Sequence, residues 1–128
     1  MKRLIPWKAL ALIAATALLT VGAFAESATP ESVIHVVTVK WVDDASEEQI
    51  AKALKGVETL AEKYDGITRV WTRSIKAQGQ ESGVTAAFVM EFKNEKALED
   101  YAGSDAQKEW YELYISIRDR SRTFDITN

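Results

Sequence analysis

The chain has 128 residues, of which 47% are hydrophobic and 27% are charged, and its formal net charge is −3. That length and composition fit one folded domain and exclude long disorder, collagen and coiled coil. The chain has no cysteine and one histidine, which removes disulfides, iron–sulfur clusters, cysteine zinc sites and histidine clusters. We therefore expect neither a metal nor a cofactor.

Residues 1–25 have the three parts of a secretory signal peptide in the expected order. The segment opens with three basic residues, Lys2, Arg3 and Lys8. An uncharged, mostly apolar run of about 16 residues follows, which is short against the roughly 20 residues that span a bilayer. Ala23-Phe-Ala25 then has the small residues of a cleavage site. We therefore predict an exported protein, periplasmic or secreted, with no stable membrane anchor after cleavage.

N-terminal sequencing of the exported protein is expected to begin at Glu26, because signal peptidase cuts after a small residue such as Ala25. A sequence that still starts at Met1 would contradict cleavage and indicate an uncleaved anchor instead.

Cleavage makes the remaining domain more acidic. Removing the three basic residues of the signal lowers the formal net charge from −3 to about −6. An acidic domain repels phosphate backbones, so we expect no nucleic-acid partner.

A polar leader over residues 26–32, expected to be flexible, precedes a domain over residues 33–128. The domain begins with a strand rich in β-branched residues, followed by a helix that Ser46 opens through an S-x-x-Q capping box with Gln49. The apolar residues of this helix fall at helical spacing on one face. They are Ile50, Ala53, Leu54, Val57, Leu60, Ala61 and Tyr64.

The second half of the domain adds three strands and two helices. We predict strands over residues 67–76 and 84–92, joined by a hairpin or irregular loop, then helices opened by Asn94 and Ser104, and a last strand over residues 121–127. The order is therefore β-α-β-β-α-α-β. This predicts an α+β, ferredoxin-like split βαβ fold, in which a four-stranded antiparallel sheet carries its helices on one face.

The sheet should have a second apolar face that no helix covers. Strand alternation places Val36, Ala87 and Val89 on the side away from the helices. Two sheets packed face to face across a two-fold axis would bury these residues and close a barrel. We therefore predict a homodimer in which Val36, Ala87 and Val89 are contact residues.

Four segments together resemble the stress-responsive A/B barrel family of dimeric α+β barrel proteins. They are the strand from Val33 to Trp41, the strand from Gly83 to Phe92, Leu98-Glu-Asp-Tyr101, and Thr123-Phe-Asp-Ile-Thr127. The resemblance implies a homodimeric barrel. One branch of the family, plant polyketide cyclases, uses a histidine and a tyrosine between sheet and helices. Tyr101 and His35 match that branch, but Gln107 stands at its catalytic histidine position and Ala86 at a second pocket histidine.

Four residues are predicted to wall a ligand pocket between sheet and helices. They are His35, Phe88, Tyr101 and Trp110. Each also has a structural interpretation: a half-buried histidine satisfied by one hydrogen bond, a tyrosine with its hydroxyl in water, and aromatic core packing. Gln107 fits a capping box with Ser104. A row of arginines, Arg118, Arg120 and Arg122, fits a solvated helix terminus better than an anion site.

The function predicted from these features is non-catalytic. We expect an exported dimer with a stress-related role or a role in binding a small apolar or aromatic ligand, because glutamine is no general base near neutral pH. The alternative is a cofactor-independent enzyme, similar to a polyketide cyclase or a small monooxygenase, that acts on an aromatic or polyketide-type substrate. A deep pocket that holds His35 and Tyr101 together, with the pKa of His35 shifted from its usual value, would favour the enzyme.

Overall fold

The computed structural model describes residues 29–73, 75 and 83–128. The elements are β1 (Val33–Trp41), α1 (Glu47–Lys63), β2 (Ile67–Trp71), β3 (Ala86–Phe92), α2 (Glu95–Tyr101), α3 (Asp105–Tyr114), a 3₁₀ turn (Ile115–Ile117) and β4 (Arg118–Ile126). This order confirms the predicted fold class. The signal peptide, the first residues of the leader and most of the predicted hairpin loop lie outside the described residues. No helix within the described ranges is long and apolar enough to cross a membrane.

The four strands form one antiparallel sheet in the order β2-β3-β1-β4. β1 lies at the centre, where His35 pairs with Met90 of β3 on one side and with Asp125 of β4 on the other. β2 and β4 form the two edges. The two strands that pair with β1 are therefore distant from it in sequence, and one of them is the C-terminal strand β4.

The core lies between one face of this sheet and the helices. Apart from the partly buried His35, the helix-facing residues of β1 and β3 are buried, and they alternate along each strand as the period of two predicts. Residues Ala53, Val57 and Leu60 of α1 close the core from the other side. Four residues nearer the C-terminus are buried in the same core: Tyr101, Trp110, Tyr114 and Ile117. Each such side chain contributes about 1.5–3 kcal/mol by leaving water.

The predicted helix caps are present, with one difference. Ser46 and Gln49 form the complete capping box of α1. At α3 the backbone N–H of Gln107 donates to Ser104 Oγ at 3.2 Å. The Gln107 carboxamide, however, accepts a hydrogen bond from the N–H of Gly103 at 2.7 Å rather than from that of Ser104. Gly103 has φ +78°, so the tight α2–α3 turn needs a glycine there and brings its N–H within reach.

Three strand boundaries differ from the predicted ones. β2 ends at Trp71, because the next residue, Thr72, turns its hydroxyl to Glu58 of α1 and donates to it at 2.9 Å. β3 begins at Ala86, two residues later than predicted. β4 begins early, since the 3₁₀ turn ends α3 and lets Arg118 pair with Trp41. The helix-terminus interpretation was therefore wrong for the arginines Arg118, Arg120 and Arg122, which lie on β4.

Helices α1 and α3 approach most closely at Gly56. A Cβ built at Gly56 would lie 2.8 Å from Cδ1 of Trp110, closer than real Cβ contacts allow. The indole N–H of Trp110 donates to the carbonyl of Ala53 at 2.9 Å, one turn before the glycine. The glycine therefore makes room for the indole, and the hydrogen bond fixes its orientation.

Candidate functional site

A cavity of about 340 Å³ lies between the inner face of the sheet and helices α2 and α3. Its floor comes from β1 and β3, its roof from α2 and α3, and one side from β4. The structure brings all four predicted pocket residues to this one cavity. They are His35, Phe88, Tyr101 and Trp110. Their role in binding a ligand stays a prediction, while their position around a common space is observed.

His35 is held in the cavity wall by Asp125, its register partner on β4. The His35 Nδ1 atom lies 2.6 Å from Asp125 Oδ1, and the histidine side chain is 14% exposed against 43% for the aspartate. When an ionised carboxylate accepts from Nδ1–H, the other ring nitrogen is left as the basic one in the neutral imidazole. The contact between His35 and Asp125 is compatible with two roles. It can be a purely structural hydrogen bond, or it can orient the ring so that Nε2 exchanges a proton with a bound molecule.

Tyr101 ends α2 and is buried, with only 3% of its surface exposed. Its ring therefore packs in the core, as the structural interpretation of this residue expected. Burial raises the pKa of Tyr101, and the Gln107 carboxamide opposes that rise only in part. Its ring centroid lies 6.3 Å from that of His35 in an edge-on arrangement. The phenol thus stays protonated near neutral pH, as a hydrogen-bond donor beside the histidine.

Aromatic rings form the deep wall of the cavity. Trp110 stacks on Tyr114 with ring centroids 4.5 Å apart and an interplanar angle of 13°. Phe88 of β3 meets Trp110 edge-on at 5.2 Å. Because these rings are nearly inaccessible to solvent, Trp110 belongs to the core and to the cavity at once, so the two interpretations made from the sequence both apply to it.

The mouth of the cavity is marked by the lining residues that are exposed to solvent. They are Glu99, Ala102, Tyr111 and Thr123. The opening therefore lies between the α2–α3 connection and β4. Gln107 lines the cavity near this opening and donates through Nε2 to the Tyr111 hydroxyl at 3.3 Å. Its carboxamide is thus engaged at both ends, with Gly103 and with Tyr111, and has no basic group to offer a substrate.

Several site residues were missed from the sequence. Asp125 was quoted only as part of the last strand, and its contact with His35 depends on the β1–β4 register, which a sequence does not reveal. Ser121 and Thr123 were missed as well, whereas Arg118 was named as an anion-site candidate but assigned to a helix terminus. Alternation of Ser121, Thr123 and Asp125 along β4 could have placed these three on one face, but not the facing residues of β1.

The opposite face of the sheet carries the predicted contact residues. Val36 and Val89 are Cα partners, and both are half-buried, as is Ala87. The register extends this pair into a row across all four strands, with Phe124 beside Val36 and Trp71 beside Val89. Phe124 is 54% exposed and Trp71 is 47% exposed. A continuous apolar row therefore faces away from the helices, and the sequence analysis found only its centre.

The flank of this row is charged. Glu91, on β3, forms an ion pair with Arg69 of β2, which lowers the pKa of the carboxyl group. Over the described ranges, no group of three or more His, Cys, Asp or Glu side chains is placed to hold a metal ion.

The chain belongs to the stress responsive A/B barrel domain family, whose family model matches residues 33–128. No functionally curated protein matches it.

Solved structures with the same fold include a protein from Arabidopsis thaliana, at 22% identity and TM-score 0.67, covering 75% of this chain and 94% of that one. A hydroxynitrile lyase from Passiflora edulis has 16% identity and TM-score 0.66, covering 76% and 93%. A dimeric ferredoxin-like protein of unknown function from Bacteroides fragilis has 17% identity and TM-score 0.60, covering 79% and 100%. At these identities the likeness establishes the fold alone.

Proposed function

We propose that the protein is an exported homodimer whose cavity binds one small aromatic or apolar molecule. The observation that carries this proposal is the cavity of about 340 Å³ between the sheet and the C-terminal helices. Its volume falls at the lower end of the range of small-molecule sites, and its wall is mostly aromatic with a few polar groups. Such a wall suits an aromatic ring with one or two polar substituents better than a sugar or a nucleotide.

The contacts expected for such a ligand follow from the wall. An aromatic ring would lie against Phe88 and Trp110, replacing water with aromatic contacts. A polar substituent would reach the Tyr101 phenol or the free side of the His35 ring. Because burial keeps the Tyr101 phenol protonated, its hydroxyl can donate a hydrogen bond to the ligand.

The binding proposal is tested with Tyr101→Phe and a neutral aromatic probe, 2-naphthamide. Calorimetry of the wild type should show saturable binding, and the variant should bind about fivefold more weakly, the value of one neutral hydrogen bond. The substitution removes only a hydroxyl group, so thermal stability should stay unchanged. Native mass spectrometry of the same protein reports the dimer mass and any ligand retained from purification.

Tyr64→Phe is the matched control. Its hydroxyl donates to the carbonyl of Ala97 at 2.6 Å, and Tyr64 is not among the residues that line the cavity. This variant should lose about 1 kcal/mol of stability and keep its affinity for 2-naphthamide. If Tyr101→Phe instead loses stability with no change in affinity, Tyr101 is structural. A wild type that binds no probe and retains no ligand would end the binding proposal.

The homodimer is supported by the apolar row on the far face of the sheet. The row consists of Phe124, Val36, Val89 and Trp71. The ion pair of Glu91 and Arg69 lies beside it. An apolar centre with a charged rim is the usual anatomy of a protein interface. The description of the Bacteroides fragilis protein as a dimer agrees with this arrangement. Export and a stress-related role stay predictions, the first from residues 1–25 and the second from the family.

A second candidate function is acid–base catalysis without a cofactor, which the His35–Asp125 pair favours. A carboxylate that holds Nδ1 orients the imidazole and turns Nε2 towards the cavity, as in hydrolytic triads. The Tyr101 phenol beside it would donate a proton to the same bound molecule. Mass spectrometry separates the two functions, since a binding protein returns its retained ligand unchanged while an enzyme converts it. Gln107, at the family's catalytic histidine position, favours binding.

A further inference from the structure

The inner side of β4 differs from the rest of the sheet because it is polar. Ser121, Thr123 and Asp125 pair with Val39, Val37 and His35 of β1 and therefore face the helices with them. All three of these β4 residues are polar, whereas the helix-facing residues of β3 are apolar. The cavity thus has a mostly apolar floor and one polar side. The polar side is formed by β4 and extends from the His35 end of the cavity to Arg118, the first residue of that strand.

At that far end lies a buried hydroxyl without a partner. Tyr114 is 3% exposed, and its hydroxyl makes no hydrogen bond within the part of the chain that the structure describes. Burial raises the pKa of Tyr114, and the neighbouring Ser121 hydroxyl and Arg118 guanidinium oppose that rise only in part. Leaving a buried hydroxyl unpaired costs about 1–3 kcal/mol, so native proteins rarely do so without a reason. Because Tyr114 lines the cavity, a bound molecule would supply the missing partner.

The positive charge beside that hydroxyl belongs to Arg118, which has no carboxylate partner among the described residues. Arg118 is half-buried, and its guanidinium carbon lies 5.5 Å from the centroid of the Tyr114 ring. Its hydrogen bond to Ser121 Oγ is long, at 3.4 Å. No carboxylate among the described residues forms an ion pair with it, although arginines of this kind are normally paired. The planar guanidinium of Arg118 matches the geometry of a carboxylate.

We propose that Tyr114, Arg118 and Ser121 form an anion subsite at the β4 end of the cavity, and that the ligand is a small aromatic carboxylate. The ring of this ligand lies against Trp110 and Phe88, and its carboxylate accepts from the Arg118 guanidinium and the Tyr114 hydroxyl. This inference rests on the proposed function, because it assumes that the cavity binds a small molecule, and it adds the charge and class of that molecule.

The test compares two probes of nearly the same shape, 2-naphthoate and neutral 2-naphthamide, by calorimetry at neutral pH. The wild type should bind the carboxylate at least about tenfold more tightly than the amide, the effect of a charge-assisted hydrogen bond. Arg118→Gln should remove this preference. Tyr114→Phe should reduce it without lowering the melting temperature, since the hydroxyl it removes is unpaired in the free protein.

Arg122→Gln is the matched control, because it removes the same charge from the same strand. Arg122 pairs with Thr38 on the face away from the cavity, so its removal should leave the preference for 2-naphthoate intact. Sedimentation of this variant checks that the dimer is unchanged.

Each other result overturns part of the argument. Equal binding of both probes by the wild type refutes the anion subsite and leaves the binding function standing. Binding of neither probe refutes both. If Tyr114→Phe melts at a lower temperature and keeps the full preference for 2-naphthoate, the hydroxyl is structural and the subsite is wrong. That variant decides the matter even if Arg118→Gln does not fold.

Discussion

Val89→Arg is expected to convert the dimer into a monomer at micromolar concentration. Val89 lies at the centre of the apolar row, between Val36 and Trp71. An unpaired charge buried in such an interface costs about 3–5 kcal/mol, and two-fold symmetry places one arginine from each subunit there. The dissociation constant should therefore rise by at least about a hundredfold. Sedimentation velocity over a range of concentrations measures this change.

Val89→Thr is the control for this experiment, since it keeps the shape of valine without a charge and should remain dimeric. Circular dichroism should give the same spectrum for all three proteins, because Val89 faces away from the helices and the core. A wild type that sediments as a monomer would refute the homodimer. A Val89→Arg protein that stays dimeric would place the interface on another surface.

Trp110→Ala should destabilise the fold more than any other single change considered above. The substitution removes the ring that stacks on Tyr114 and meets Phe88. It also removes the hydrogen bond that the indole N–H donates to the carbonyl of Ala53. Emptying a large core site costs about 3–5 kcal/mol, which is a large share of the stability of a domain of this size. Denaturant unfolding followed by far-ultraviolet circular dichroism measures the loss.

Trp110→Phe separates the two parts of that effect. It keeps a ring in the core and loses the N–H donor, so it should cost about 0.5–1.5 kcal/mol, the net value of one hydrogen bond, because the Ala53 carbonyl still accepts its helical hydrogen bond within α1. A Trp110→Ala protein as stable as the wild type would show that the indole lines the cavity without supporting the helices.

The fold followed from periodicity because its signals are local. Alternation along β1 and β3 placed His35 and Phe88 on the helix side and Val36 and Val89 on the other, and the structure agrees. The Ser46 cap and the apolar face of α1 were also readable from spacing alone. These features depend on residues at most a few positions apart, and their geometry is set by the helix and strand repeats.

The rest of the site depends on contacts between distant segments. Asp125 meets His35 only because β4 pairs with β1 in one particular register. Ser121 and Thr123 line the cavity because the same register places them beside Val39 and Val37 of β1. Spacing within the sequence predicts neither the register of an edge strand nor the direction in which a turn leaves a helix. For this reason the aromatic wall was predicted and its polar side was missed.

The alternation along β4 gives one strand two roles. Thr123 lines the cavity, while its neighbour Phe124 belongs to the row on the opposite face, so the two surfaces share this edge strand. A ligand with different affinities for the monomer and the dimer would link occupancy of the cavity to subunit association. Such a ligand would strengthen the dimer by the same factor by which it prefers the dimer, and dilution would weaken its binding reciprocally. Its apparent affinity would then depend on protein concentration.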